Sequence, residues 1–383
     1  MRRRHAGAVV AAGFVLLAAC GGTEQPSVDD AALVVPADTS IESDTTSTTE
    51  SGSASTGDDR FTLLAEAVEQ AGANCLVVEQ AGEPVGEWFW QGFTAESLQE
   101  GFSTTKSVAA TLVGIAADQG ALTLDQPASD FITEWKGTAS EAVTISQLLS
   151  NTSGRFHDVV TDYAQLAFLE QDKSRFAVAL GQQSEPGTRW VYNNAAVQTL
   201  EVVLERATGM QVAAFADRNL FGPLGMTSRL SLDGAGNAGL FAGMQTNCRD
   251  LAAFVRLYLD GGTADGATVV SAGFVDEALA PSSTLNEAYG YLWWLNRKGT
   301  VQSSAEGSTR RGASLLPVLD EDVFYASGAC GQVAMAVPAI DLVVAVMRPV
   351  EATSITALAG CGAVNMETVL AGALASLMPG LRQ

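Results

Sequence analysis

The stretch GFSTTKSVAATLVGIAAD, Gly101 to Asp118, sets Ser103 and Lys106 at the head of an apolar-periodic segment. Residues three apart share one face of a helix, so this spacing brings a hydroxyl and an amine together without help from distant chain. A serine attacks poorly near neutral pH until a base takes its proton, and a lysine can be that base when burial or a nearby cation lowers its pKa. Alone, the pair equally fits an ordinary first turn of a helix. The surrounding segments decide between the two readings.

Tyr192, Asn193 and Asn194 stand just before a second apolar-periodic run containing Val197, Leu200 and Leu204. A phenol held near an ammonium can have its pKa lowered enough to exchange protons, and an amide can hold a substrate carbonyl or steady the lysine. The plainer alternative makes Tyr192 a packed aromatic and Asn194 a helix N-cap. TISQLLSNTSG, Thr144 to Gly154, is a further conspicuous segment, and FYASGACGQVAMAVP places Ser327, Gly328 and Ala329 on a late strand. Small residues there allow close backbone approach, and an exposed N–H can face a developing oxyanion.

The ends of the chain read as strands and the middle as helices. Asn74–Glu79 and Glu87–Gln91, separated by Gly82–Gly86, predict an opening hairpin, while Val323–Ser327, Gln332–Val337 and Leu342–Met347 predict three late strands. Met366, Val369, Leu370, Ala373, Leu374 and Leu377 follow helical spacing up to Pro379 and Gly380, which are expected to stop that helix. Val108, Leu112 and Ile115 line one helix face, and a further helix carries Leu251, Phe254, Val255 and Tyr258 with Asn247 as its N-cap. The order implies an α/β (α+β) fold: an antiparallel sheet built from both termini, flanked by terminal helices and carrying an inserted all-helical domain.

Residues 1–20 combine three arginines, an apolar stretch and Leu17-Ala18-Ala19-Cys20, the pattern of an export signal ending in a lipoprotein cleavage box with Cys20 lipidated. Residues 21–59 hold nine acidic and no basic residues and almost no aromatic or periodic apolar content, which predicts a disordered acidic tether before a single large α/β domain at 60–383. Removing that tether and the three arginines from the net charge of −22 leaves −16, so the domain itself is acidic. Nucleic acid is therefore an unexpected partner, and membrane contact is expected through the N-terminal lipid only. After Cys20 come Cys75, Cys248, Cys330 and Cys361 without C-x-x-C spacing; three pairings are possible in an oxidising compartment, and buried thiols are the alternative. With His157 the single histidine beyond the leader, no metal is implied. His157 reads as structural, and the tryptophans at 88, 90, 293 and 294 fit either a cleft lining or a core.

STTK at 103–106 and YNN at 192–194, together with PLGM from Pro223, GLFAGMQTNCRDLAAF from Gly239 and YGYLWW from Tyr289, resemble in type and order the serine hydrolases of the class C β-lactamase and penicillin-binding type. That family also contains esterases, D-stereospecific peptidases and 6-aminohexanoate-oligomer hydrolases. The resemblance implies a β-lactamase/transpeptidase-like fold, no cofactor, and a site in which Ser103 is acylated while Lys106 and Tyr192 move protons. It further implies that Asn194 contacts substrate and that the backbone N–H groups of Ser103 and Ala329 receive the oxyanion. The family's third box often begins with Lys or His; here it is Ala326-Ser327-Gly328. Arg310 or Arg311 from a loop is the alternative source of that charge; with the box lacking it, a small-molecule carboxylic ester, amide or peptide ranks above a β-lactam as the expected substrate. A β-lactamase, a D-Ala-D-Ala carboxypeptidase and a catalytically silent envelope-binding lipoprotein are the alternatives, and the oligomeric state is left open.

Overall fold

The computed structural model describes residues 55–305, 307–350 and 364–381. Seven strands form one antiparallel sheet in the order Ser55–Gly57, Glu83–Phe89, Cys75–Gln80, Leu342–Met347, Gln332–Val337, Phe324–Gly328, Trp294–Leu295. Val344 stands opposite Val78 on one side and Met335 on the other, so N- and C-terminal segments interleave at the centre. Every residue of Gln332–Val337 and Leu342–Met347 is buried, which requires cover on both sheet faces. Helices Thr62–Gln70 and Met366–Leu381 pack on each other, and Cys248–Leu259 and Thr104–Asp118 pack onto the central strands. Residues 90–293 supply the insertion between the second and last-paired strands of the sheet; it is mainly helical but not all-helical, since Gln99–Glu100, Met244–Thr246 and Arg229–Leu230 form a small sheet and Thr263–Ala264 pairs with Ala267–Thr268.

Several local expectations shift. The opening hairpin turns at Ala81 and Gly82, both with positive φ, so Pro84 and Gly86 belong to a strand rather than to the turn. Gly86 is required there because a Cβ would lie 2.2 Å from the Trp88 ring. The last helix runs through Pro379 to Leu381. The Pro379 ring removes a single donor, and in the last turn few later bonds depend on it.

The domain starts earlier than residue 60. Ser55–Gly57 pairs with Trp88–Gly86, and the Asp58 side chain accepts from Arg60 N at 2.9 Å to open the turn that leads into the first helix. The leader, its Cys20 and the tether up to residue 54 lie outside the described residues. Cys75 and Cys248 form a disulfide that ties the sheet to the helix beginning at Cys248. Cys330 is also disulfide-bonded, and Cys361 lies outside the described residues.

Candidate active site

Helix Thr104–Asp118 is buried on all sides from Thr104 to Ala116, not along a single stripe, so its first turn opens inside the molecule. Ser103 caps it, preceded by Phe102 at φ +48°, a costly conformation for a bulky residue. Three contacts hold that turn. Glu100 Oε1 accepts from Phe102 N at 3.0 Å and Gly243 N at 2.9 Å, and Thr105 Oγ1 donates to Phe102 O at 2.5 Å. Burial raises the Glu100 pKa while the backbone donors pull it back.

Lys106 Nζ donates to Ser103 Oγ at 2.8 Å and to Phe241 O at 2.7 Å, and it stands 4.7 Å from the centroid of the Tyr192 ring. Lys106 is 1% exposed, and desolvation lowers its pKa to about 7 against the opposing charge of Asp162. Near neutral pH much of this lysine is therefore a free amine. A neutral amine beside a serine hydroxyl is a competent base.

Tyr192 departs from expectation in its protonation. Burial raises its pKa well above the phenol range, Tyr163 adds to the rise, and a hydrogen bond from Ser103 acts against it. Burial is the leading cause, and the nearby Asp162 charge also disfavours a phenolate. Tyr192 is thus a neutral phenol that stacks on Trp294 at 5.7 Å.

The two asparagines divide their work. Asn193 is the N-cap of helix Asn194–Thr208, its Oδ1 accepting from Ala196 N at 2.8 Å, so Asn194 is the first helical residue and not the cap. The Asn194 side chain instead hydrogen-bonds Tyr163 on the cavity wall. Asp162, 1% exposed, accepts from the backbone N–H groups of Asn194 and Ala195 at 3.0 and 2.8 Å and fixes this helix start. His157 lies 3.7 Å from Asp162 in the interior and lines neither cavity at Ser103.

The late strand closes the site. A Cβ on Gly328 would come within 2.3 Å of Gly101 O, so the strand reaches the nucleophile turn because residue 328 lacks a side chain. Ser327 Oγ donates to Glu367 Oε1 from the C-terminal helix. Two cavities meet at Ser103, Tyr163 and Ala329. One, of about 400 Å³, is walled by Phe102, Phe168, Leu232 and Phe241 and reaches Asn194. The other, of about 390 Å³, is bordered by Tyr192, Trp294, Ser327, Gly328 and Glu367. All seven predicted site residues within the domain therefore converge. Glu100, Asp162, Tyr163 and Glu367 also take part, and no local motif marked them. Trp294 borders the cleft, whereas Trp293 is core, packed on Tyr258 and Phe254.

A buried sheet, a serine and partly neutral lysine in contact, and paired cavities at that serine define a serine hydrolase. Residues 62–348 match the β-lactamase family, and the chain belongs to it. It is 26% identical over 274 residues to the 6-aminohexanoate-dimer hydrolase of Paenarthrobacter ureafaciens, covering 63% of this chain and 69% of that protein. It is 29% identical over 171 residues to esterase EstB of Burkholderia gladioli, covering 40% of this chain and 41% of that one. A family VIII carboxylesterase structure shares the fold at 19% identity and TM-score 0.63, covering 84% of this chain and 98% of that chain.

Proposed function

We propose that the protein cleaves a carboxylic ester or amide through a covalent acyl-enzyme on Ser103. The contact that carries this reading is Lys106 Nζ at 2.8 Å from Ser103 Oγ. Ser103 Oγ attacks the carbonyl carbon as its proton passes to the neutral Lys106 amine, forming a C–O bond and a tetrahedral oxyanion. The backbone N–H groups of Ser103 and Ala329 receive that oxyanion. Collapse breaks the bond to the leaving oxygen or nitrogen, which takes a proton from the Tyr192 phenol; the Lys106 ammonium restores that proton. Water then attacks the acyl-enzyme by the reverse path and frees the acid. Asn194, buried in the wall of the first cavity, orients the acyl group.

Esters and amides rank above β-lactams and D-Ala-D-Ala peptides because the third box supplies no cation for a substrate carboxylate, and its serine bonds Glu367 instead. The 6-aminohexanoate-dimer hydrolase and the esterase EstB are relatives whose names fit that ranking. The Leu17–Cys20 box supports an exported protein held at the cell envelope by lipid on Cys20. Labelling with a fluorophosphonate followed by peptide mass spectrometry tests the nucleophile. The expected adduct sits on Ser103, and both adduct and p-nitrophenyl acetate turnover vanish in Ser103→Ala. An adduct elsewhere, or undiminished turnover in that variant, rejects the assignment. Faster turnover of nitrocefin than of the ester rejects the substrate ranking, and lack of palmitate incorporation at Cys20 rejects the anchor.

A further inference from the structure

We infer that this enzyme selects substrates whose leaving group carries a positive charge, and that Glu367 is the residue that reads it. The inference rests on the serine hydrolase reading above, because that reading says which cavity takes the leaving group. Tyr192, the proton donor to the departing atom, borders the cavity that also holds Glu367 and does not border the apolar one. The acyl part then lies among Phe102, Phe168 and Phe241, and the leaving group lies against Glu367.

What meets the leaving group there is a carboxylate on an aromatic floor. Glu367 rises from the first turn of helix Met366–Leu381, half-buried, and its Oε1 accepts from Ser327 Oγ. Among the described residues it has no ion-pair partner. The floor is a stack, with Trp294 at 5.7 Å from Tyr192 and 6.5 Å from Tyr325, interplanar angles 18° and 16°. Aromatic surface beside a half-buried carboxylate favours ammonium groups and repels carboxylates. Arg310 borders the same cavity but is exposed to solvent on strand Arg310–Ala313, where water screens it more than the half-buried acid. Of these two charged side chains on the cavity, the acid is the more buried, and its charge is opposite to that of a lysine or histidine in the third box.

The test uses three thioesters with one acyl group and the purified full-length protein, read by thiol release. Acetylthiocholine has a cationic leaving group, 3,3-dimethylbutyl thioacetate is its neutral isostere, and S-acetyl-3-mercaptopropionate is anionic. The expected order of kcat/KM is cationic, neutral, anionic, with roughly five- to tenfold between the first two. In Glu367→Gln the cationic-to-neutral ratio falls to about one, and in Glu367→Lys the anionic ester overtakes the cationic one. Fluorophosphonate labelling of Ser103 in each variant confirms that the site is folded. A wild-type ratio near one, a preference for the anion, or a cation preference that survives Glu367→Gln overturns the inference while the nucleophile assignment stands. Labelled Ser103 with no thiol release from any of the three overturns it too. Loss of Ser103 labelling in the wild-type protein strikes the serine hydrolase reading itself.

Discussion

Burial of Lys106 is expected to set the pH at which this enzyme works. A lysine at its ordinary pKa of 10.5 would be neutral in only about three molecules in ten thousand at pH 7, whereas a pKa of about 7 leaves about half of them neutral. The buried setting therefore raises the reactive fraction by more than about a thousandfold, or about 4 kcal/mol. Activity on p-nitrophenyl acetate, corrected for spontaneous hydrolysis, is expected to rise with unit slope below about pH 7 and to level off above it, as a single required free base dictates. Fluorophosphonate inactivation of Ser103 should follow the same curve, since it needs the same deprotonation. Asp162→Asn removes the charge that raises the lysine pKa and should move the limb to lower pH by roughly a unit. The position of the limb is the readout, because the variant also loses an acceptor at the helix start. Stability carries the opposite face of the same effect. The cost of the buried ammonium is full below about pH 7 and gone above about pH 10.5, so Lys106→Met should gain most against wild type in acid and nothing at high pH. A rate that keeps climbing to a limb near pH 10, or an Asp162→Asn limb displaced upward, refutes the reasoning.

Gly328→Ala places a Cβ 2.3 Å from Gly101 O, so the strand must retreat from the nucleophile turn; kcat is expected to fall by about a hundredfold or more, with about 1–3 kcal/mol lost in denaturant unfolding. Replacing Cys75 and Cys248 together by Ala frees a closed loop with a sequence separation of 173 and should lower the unfolding free energy by about 2 to 5 kcal/mol, seen as a lower denaturant midpoint. Glu201, bonded by Ser174 Oγ and pushed up to about 7 by burial, stabilises the fold only while protonated: its contribution is full below about 4.5 and lost as pH rises through about 7. Glu201→Gln should therefore gain about 1–3 kcal/mol over wild type at about pH 8 and little at about pH 4, by thermal or urea melts at both.

How far each part of the site was legible follows from the range of the contacts that make it. Ser103 and Lys106 could be paired from their spacing because a helix brings i and i+3 together wherever it forms. The late strands were legible within a residue because unbroken β-branched and small apolar runs suit a strand buried on both faces. Asn193 and Asn194 were harder, since both cap well and the path of the chain into the helix decides which one does. Glu100 and Asp162 carry no sequence mark at all. Each is an ordinary acid until Gly243, 143 residues later, or Ala195, 33 residues later, folds onto it.

The sequence by itself therefore determined the sheet from both termini, the helical insertion and the pairing of hydroxyl with amine, because spacing and periodicity encode local geometry, while the type and order of its motifs carried the resemblance to the serine hydrolase family. Only the tertiary structure decided that Lys106 loses its proton near neutrality, that Tyr192 keeps its own, and that a carboxylate from the last helix stands beside the third box. Those properties belong to the loss of water and to neighbours brought from far along the chain, and a pKa has no value until both are in place.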